Sequence, residues 1–575
     1  MLRPSRPQRV NLHDAVRQLP SARLGGLSSL AQADGIGLAG ITLNSADVRP
    51  GELFAALPGA KTHGAAHAAA ALRAGAAAVL TDPAGEALLP PAAPRLVVAD
   101  PRAELGPLAA WLYGYPARAL KLIGVTGTNG KTTVAHLLES ALAERFGKVA
   151  LLGTIISRID GEELASERTT LEAPALQAAF AAMIERGVEA CVMEVSSHAL
   201  ALHRVDGVVF EVAVFTNLTR DHLDFHANME DYFAAKAGLF APGRAGLGVI
   251  GLADAWGRRL AGETAIPRLT VSRDPADLPD WLVIPGRPGR PGTPFRLVRR
   301  PAAPPAAAPG AVAGEVSGGA AVGKAAGEVP GAGGGGAAGA APGEVSGGAA
   351  VGAVAGAVPG AGAGQTPGQT PGQVRAAIGL PGQYNVDNAA LALVAAMAAG
   401  VPAEAAARGI EAAPAVPGRM ERVPGPPGSP QVVVDYAHAP ASVAAALAAL
   451  RPHTPGRLIA VLGAGGDRDH GKREAMGRAA AAGADLVYVT DDNPRSEPPA
   501  AIRAAVLAGA GPEAREVACR ADGIGQAIAV AVEQDTVVIL GKGHEAVIDY
   551  GGQLRPHQDR LAAGAALRAR MEGAA

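Results

Sequence analysis

Residues Leu120–Phe146 read LKLIGVTGTNGKTTVAHLLESALAERF, and this stretch decides the fold. The strand-like run LKLIGV enters a glycine-rich loop and then the helical stretch TTVAHLLESALAERF, which is followed by strand-like VALLGT. Backbone N–H groups of such a loop, at a helix N-terminus, point inward at phosphate oxygens. A lysine and the hydroxyl after it bind the terminal phosphate and magnesium. Lys131 and Thr132 occupy those two positions. The spacing is GxxGxxGKT, with Gly124, Gly127 and Gly130, and its first glycine stands one place off the common GxxxxGK[ST] form. Such a loop predicts a bound nucleotide, ATP, with Thr128, Asn129 and Thr133 completing the cradle. It leaves open whether the nucleotide drives chemistry, motion or a switch.

Outward from the loop, the chain is long enough at 575 residues to need several cores. Apolar residues make up 49% and charged residues 18%, which suits large α/β cores. The formal net charge of −2 provides no global field for nucleic acid or an anionic membrane. Two cysteines, Cys191 and Cys519, form neither a disulfide framework nor a CxxC metal spacing, so a reducing cytoplasm fits best. No signal peptide and no bilayer-spanning run is expected.

Up to about Pro116, short apolar runs (GELFAALPG, AAAVLTD, RLVVAD) alternate with Ala-rich helical stretches, as in a small α/β unit. After VPGRMERV, the strand-like runs QVVVDYA, RLIAVLGAGG, DLVYVTDD and TVVILGKG are separated by helical stretches, predicting a doubly wound parallel sheet. Between Pro301 and Gly372 the composition changes to Gly, Ala and Pro, with GEVSGGAAVG at both Gly314 and Gly343. So few large side chains cannot offset the entropy of ordering, and this stretch reads as a disordered insertion without function. Strand-like PFRLV before it and VRAAIGLPG after it predict that it hangs from a loop between two strands.

In order along the chain come GVTGTNGKTT, EVSSHAL, TNLTRDHLDFH, YFAAKAGLF, GQYNVDNAA, VPGRME, VDYAHAP and GGDRDHGKR, and this series resembles the Mur ligases of peptidoglycan synthesis. The likeness spans nearly the whole chain outside the insertion. The ending, with DNPR at Asp492–Arg495 and GKGHE at Gly541–Glu545, resembles the branch that adds diaminopimelate. The resemblance implies three α/β domains: a UDP-sugar-binding domain at 1–116, a central P-loop ATPase domain at 117–414 and a Rossmann-like amino-acid-binding domain at 415–575. It further implies a cytoplasmic, monomeric enzyme with ATP and Mg2+ as cofactors. ATP would phosphorylate the D-Glu carboxylate of UDP-N-acetylmuramoyl-L-alanyl-D-glutamate, and an amine of meso-diaminopimelate would attack the acyl phosphate. A carboxylate is a poor electrophile until one oxygen becomes a phosphate leaving group, and the anionic reactants need cations around them.

By the same resemblance Glu194 and His222 bind magnesium together with Thr132, while Lys236 is carbamylated and becomes a carboxylate-like anion beside the metal. On its own Lys236 would read as a solvent-facing lysine, and His222 as an ordinary loop histidine. Asn385 or Asn388, Arg419 and Asp435 are implied on the nucleotide. Leu43, Ser45 and the backbone near Ala60 to Thr62 are implied around the uracil and diphosphate, and Thr169, Thr170, Ser196 and Arg204 along the muramoyl dipeptide. For the diamino acid, a guanidinium can grip the distal carboxylate bidentately while a carboxylate receives an ammonium. Arg495 and Glu545 match those roles, with Arg468 on another substrate carboxylate and Asp492, Asn493, Pro494 and Gly541 shaping the pocket. Departures from the family pattern are Ala46, Leu202, Ala441, Ala464 and Cys519. The competing readings are a lysine-adding ligase, which lacks the arginine of DNPR, a folylpolyglutamate synthase, and a P-loop switch whose ATPase is not coupled to ligation.

Overall fold

The computed structural model describes residues 2–7, 10–59, 61–165, 168–287, 293–301, 372–467 and 469–572. The insertion lies outside the described residues from 302 to 371, as do Ala60 and Arg468. Three large sheets carry the fold. The first comprises β1 (Arg23–Gly25), β2 (Gly40–Thr42), β3 (Glu52–Ala55), β4 (Ala78–Thr81) and β5 (Arg95–Val97), in the spatial order β1-β5-β4-β3-β2. All its pairs are parallel except β1 with β5. Helix α1 (Pro101–Leu112), capped by the Asp100 side chain, buries Leu105, Leu108 and Leu112 against it.

The central sheet has eleven strands. In chain order these are β6 (Lys121–Thr126), β7 (Val149–Leu152), β8 (Ile156–Ile159), β9 (Glu162–Ala165), β10 (Ala190–Glu194), β11 (Phe210–Phe215), β12 (Ala245–Gly251), β13 (Arg268–Ser272), β14 (Trp281–Pro285), β15 (Thr293–Arg299) and β16 (Gln373–Ile378). Across the sheet they run β9-β8-β7-β10-β6-β11-β12-β13-β14-β15-β16. In β6, β10 and β11 both faces are apolar: Ile123, Val125, Val192 and Val212 feed one core, while Leu122, Cys191, Met193 and Phe215 feed the other. Helices cover each face, α2 (Lys131–Ala143) on the first and α3 (Ala173–Glu185) on the second, which is why these strands read as continuous apolar runs. Helices α4 (Ser197–Ala201), α5 (Met229–Ala237) and α6 (Gln383–Ala398) complete the parts needed for the site. Strands β15 and β16 pair antiparallel from Thr293↔Ile378 to Val298↔Gln373, so the insertion falls in the connection between two paired strands, as its flanks predict.

The third sheet contains β17 (Glu421–Val423), β18 (Gln431–Asp435), β19 (Leu458–Leu462), β20 (Leu486–Val489), β21 (Arg515–Glu516) and β22 (Thr536–Leu540), ordered β17-β18-β22-β19-β20-β21. Only β17 is antiparallel. Helices α7 (Pro440–Leu450), α8 (Lys472–Gly483), α9 (Arg520–Val530) and α10 (Asp559–Glu572) pack around it. Ligands of open parallel sheets bind beyond the carboxyl ends of the strands. Here YAHAP, GKGHE, GAGGD and DDNPR follow the carboxyl ends of the adjacent strands β18, β22, β19 and β20. No helix among the described residues is long and apolar enough to cross a membrane.

Candidate active site

Strands β10, β6 and β11 end side by side and bring Glu194, the glycine loop and the segment after Phe215 to one edge. Gly130 precedes α2 at φ 88° and supplies no side-chain cap, so the first-turn N–H groups of α2 remain for an external acceptor. A Cβ at Gly130 would stand 2.4 Å from Asn388 Oδ1, and one at Gly127 (φ 141°) 1.9 Å from Thr216 Oγ1. Gly124 differs: it lies within β6, where a Cβ would meet the Phe210 ring at 2.8 Å, and it serves packing inside the strand. Lys131 Nζ donates to the carbonyls of Gly127 and Thr128, each at 3.0 Å. The side-chain amide of Asn217 clamps the Asn129 backbone, accepting from its N–H at Oδ1 and donating from Nδ2 to its carbonyl, at 3.0 Å each. The Thr128 hydroxyl lies 3.1 Å from Tyr232 Oη.

Glu194 is fully buried. Its carboxylate accepts from Thr132 Oγ1 (3.0 Å), Thr154 Oγ1 (3.0 Å) and Thr154 N (2.8 Å). Thr154 carries no motif and is missed by sequence reasoning; it reaches Glu194 because β7 pairs parallel with β10. His222 adopts φ 54°, and its Nε2 lies 3.7 Å from Asp221 Oδ2. Burial pushes its imidazole down to about 4 in spite of that carboxylate. Its carbonyl accepts from Phe225 N and His226 N.

Lys236, in the Ala-rich helix α5, is 1% exposed instead of solvent-facing. Its Nζ donates to Gly127 O at 2.9 Å and sits 4.7 Å above the Tyr232 ring. Burial, with the Lys131 cation adding to it, holds the amine well below the ordinary lysine value.

A cleft of about 730 Å3 unites Thr128 to Thr133 with Glu194, His222, Asn385, Asn388, Arg419 and Asp435, and also with Thr169, Thr170, Ser196 and Arg204. Thr170 Oγ1 donates to Glu194 O (2.9 Å) and accepts from Ser196 N (3.1 Å), while Arg204 Nε pairs with Glu172 at 2.9 Å. Asn388 Nδ2 donates to Asn385 Oδ1 at 3.3 Å. Asp435 is occupied by Met420 N and Ala437 N at 2.8 and 2.9 Å. Arg419 stacks 4.4 Å over Tyr436 and reaches Thr132 Oγ1 at 3.4 Å, linking the segment before β17 to the glycine loop. Leu43 and Ser45 line neither this cleft nor the cavity next to it. Ser45 opens a short 3-10 turn and Leu43 packs on the first core.

The adjoining cavity, about 450 Å3, contains Asp492, Asn493, Arg495, Gly541 and Glu545. Glu545 Oε2 accepts from Asn493 Nδ2 and from Lys542 Nζ, each at 2.7 Å, and these partners hold its carboxyl below the usual range against the effect of burial. Lys542, fully buried, also bonds Asn493 Oδ1 at 3.0 Å. Arg495 donates from Nη1 to Gly466 O. Pro494 lies in the turn over Gly466. Asn129, Thr219, Asp221, His222, Tyr436, His438 and Ala441 line both cavities, which therefore share a wall. Tyr436 and His438 belong to VDYAHAP, whose role at that wall is not apparent from the motif alone.

Family models match the chain in three sections: the Mur ligase family, catalytic domain at residues 38–111, the Mur ligase middle domain at 125–276, and the Mur ligase, glutamate ligase domain at 418–543. The UDP-N-acetylmuramoyl-L-alanyl-D-glutamate--2,6-diaminopimelate ligase of Streptomyces coelicolor is 43% identical over 97% of both chains. The protein of the same name from Corynebacterium glutamicum is 42% identical, covering 92% of this chain and 91% of its own. Among solved structures, one titled for that ligase aligns at a TM-score of 0.60 with 27% identity, covering 98% of this chain and 100% of its own. With this identity over nearly its whole length and with all three sections matched, the chain belongs to the Mur ligase family.

Proposed function

We propose that the chain is an ATP-dependent ligase of peptidoglycan precursor synthesis, working as a cytoplasmic monomer. It joins meso-2,6-diaminopimelate to the D-Glu carboxylate of UDP-N-acetylmuramoyl-L-alanyl-D-glutamate. The observation that carries this reading is the wall shared by the phosphate cleft and the cavity of Arg495 and Glu545, because an acyl phosphate and its attacking amine must meet there. We assign residues 1–116 to the UDP-sugar, 117–414 to ATP and 415–575 to the amino acid.

In this reading the free N–H groups of α2 and Lys131 hold the nucleotide phosphates and oppose the charge that develops during transfer. The γ-phosphoryl group passes to a carboxylate oxygen of D-Glu, with ADP leaving. The diamino acid's amine then attacks the acyl carbon and expels phosphate. Thr170, Ser196 and Arg204 orient the dipeptide, while Asn388 and Arg419 border the nucleotide. Arg495 grips the distal carboxylate of the diamino acid and Glu545 receives an ammonium.

Magnesium, when bound, adds a second positive charge at the transferring phosphate. Thr132 and Glu194 offer hard oxygen donors already in contact at 3.0 Å. Among the described residues no group of three His, Cys, Asp or Glu side chains is placed to hold a metal ion; magnesium usually keeps several waters and phosphate oxygens beside one or two protein oxygens. His222 and a carbamylated Lys236 complete the set in our assignment. The low basicity of Lys236 supports that modification, since the neutral amine is the form that adds carbon dioxide.

Purified protein should release ADP and form the UDP-tripeptide only when ATP, the UDP-dipeptide and meso-diaminopimelate are all present. ATP turnover that is the same without the two acceptors would defeat the ligase reading, and a preference for L-lysine would defeat the choice of amino acid.

A further inference from the structure

Arg495 reaches the second cavity from a left-handed backbone, φ 53°, a region that long L side chains seldom adopt. Something must hold it there. Its N–H donates to Asp549 O at 2.9 Å and its guanidinium to Gly466 O. The loops 463–467 and 493–497 interlock: Gly466 N donates to Asn493 O at 2.8 Å, and a Cβ on Gly466 would stand 1.9 Å from Pro494 O.

Glu497, two residues beyond Arg495, ties the two loops together. Its Oε1 accepts from Asp467 N (2.6 Å) and Arg473 Nη2 (2.7 Å), and its Oε2 from Arg473 Nη1 (2.9 Å). Arg473, 4% exposed and carried by α8, also donates to Gly465 O at 3.2 Å. His470 flanks the pair, with Nε2 3.6 Å from Glu497 Oε1 and Nδ1 3.4 Å from Arg473 Nη1. Asp467 closes the ring by accepting from Ser496 N (3.2 Å) and Ser496 Oγ (2.5 Å). Neither Arg473 nor Glu497 lines the cavity.

We propose that the Arg473–Glu497 pair is a positioning device that fixes Arg495, and that through Arg495 it sets the preference for a diamino acid with a second carboxylate over lysine. This rests on the assignment of the second cavity to the diamino acid. A two-pronged guanidinium–carboxylate contact is directional on both sides. A small displacement of Arg495 therefore loses its grip on a distal carboxylate, whereas lysine, which has none, is indifferent to it.

The test compares kcat/KM for meso-diaminopimelate and for L-lysine in the wild type, Glu497→Gln and Glu497→Asp, each with Arg495 intact and in an Arg495→Ala background. Glu497→Gln should lower kcat/KM for diaminopimelate by about tenfold to hundredfold. The loss should lie in the KM for that substrate, leaving lysine turnover and the KM values for ATP and the UDP-dipeptide unchanged. Glu497→Asp keeps the charge and should give a smaller change in the same direction, so it carries the test if Glu497→Gln does not fold. In the Arg495→Ala background both substitutions should have no further effect on the ratio. An equal fall with both amino acids, or an effect that persists without Arg495, overturns the positioning role alone. A wild type with no diaminopimelate-dependent turnover overturns the substrate assignment and the positioning role with it.

Discussion

Replacing Arg520 by methionine removes a guanidinium that fastens together the strands leading into the second cavity. Arg520 opens α9 and is 1% exposed. Its Nε and Nη2 donate to the two carboxylate oxygens of Asp559 at 2.7 Å each, Nη2 also to Leu540 O at 2.9 Å, and Nη1 to Thr490 Oγ1 at 3.3 Å. One side chain thus ties the ends of β20 and β22, which lead into DDNPR and GKGHE, to the start of α10. Without it Asp559, itself fully buried, keeps among the described residues only His557 Nε2 at 2.9 Å as a side-chain partner. Stranding one partner of a buried pair costs about 3–5 kcal/mol. The same pairing acts on the Asp559 carboxyl, which is held at about 2 against an ordinary 3.8, chiefly by Arg520 acting against burial. That depression corresponds to roughly 2 kcal/mol of stability.

The sign follows from the depression. This stability is fully present above the ordinary carboxyl value and is lost as pH falls through about 2. In the variant burial dominates and pushes the same carboxyl up, so the deficit is complete at neutral pH and shrinks on acidification. Tryptophan fluorescence will not report it directly, because Trp111, Trp256 and Trp281 all precede the third sheet. Hydrogen exchange of the β18 and β22 amides will. The double variant Arg520→Met/Asp559→Asn, which leaves no buried charge stranded, should recover a large part of the loss. A single variant destabilised by less than about 1 kcal/mol, or a double variant no better than the single, refutes the reasoning.

Lys236→Ala should lower kcat by about a hundredfold or more while nucleotide binding persists, and should abolish any stimulation by bicarbonate; wild-type activity would remove Lys236 from the mechanism. Gly130→Ala places a Cβ 2.4 Å from Asn388 Oδ1 at φ 88°, and affinity for a non-hydrolysable ATP analogue should fall about tenfold or more by calorimetry. Deleting residues 302–371 and rejoining the chain should preserve ligation and thermal stability, because β15 and β16 keep their full register; lost activity would assign the insertion a role.

The segment Leu120–Phe146 is legible because its signals are local: an apolar run, glycines where positive φ is needed, and a helix whose start carries no cap. The order of motifs in the last third is legible for the same reason, since each follows a strand-like run and parallel strands deliver their carboxyl ends to one edge. Gly124 shows the limit of spacing. It sits in the motif, yet its neighbour is Phe210, 86 residues away along the chain and next to it only through the pairing of β6 with β11.

The sequence by itself determined which chemical groups are available, where strands turn into loops, and that a glycine-rich loop of the phosphate-binding kind runs through Gly127 to Thr132. Only the tertiary structure decided which of those groups meet. Thr154 reaches Glu194 because β7 and β10 pair in parallel, and Lys236 is buried because α5 packs onto the central core. Arg473 finds Glu497 across two loops, and Arg419 crosses to Thr132. Local sequence encodes backbone preference and periodicity, but burial and charge pairing depend on contacts between residues far apart in the chain. Those contacts set the basicity of Lys236 and the reach of Arg495.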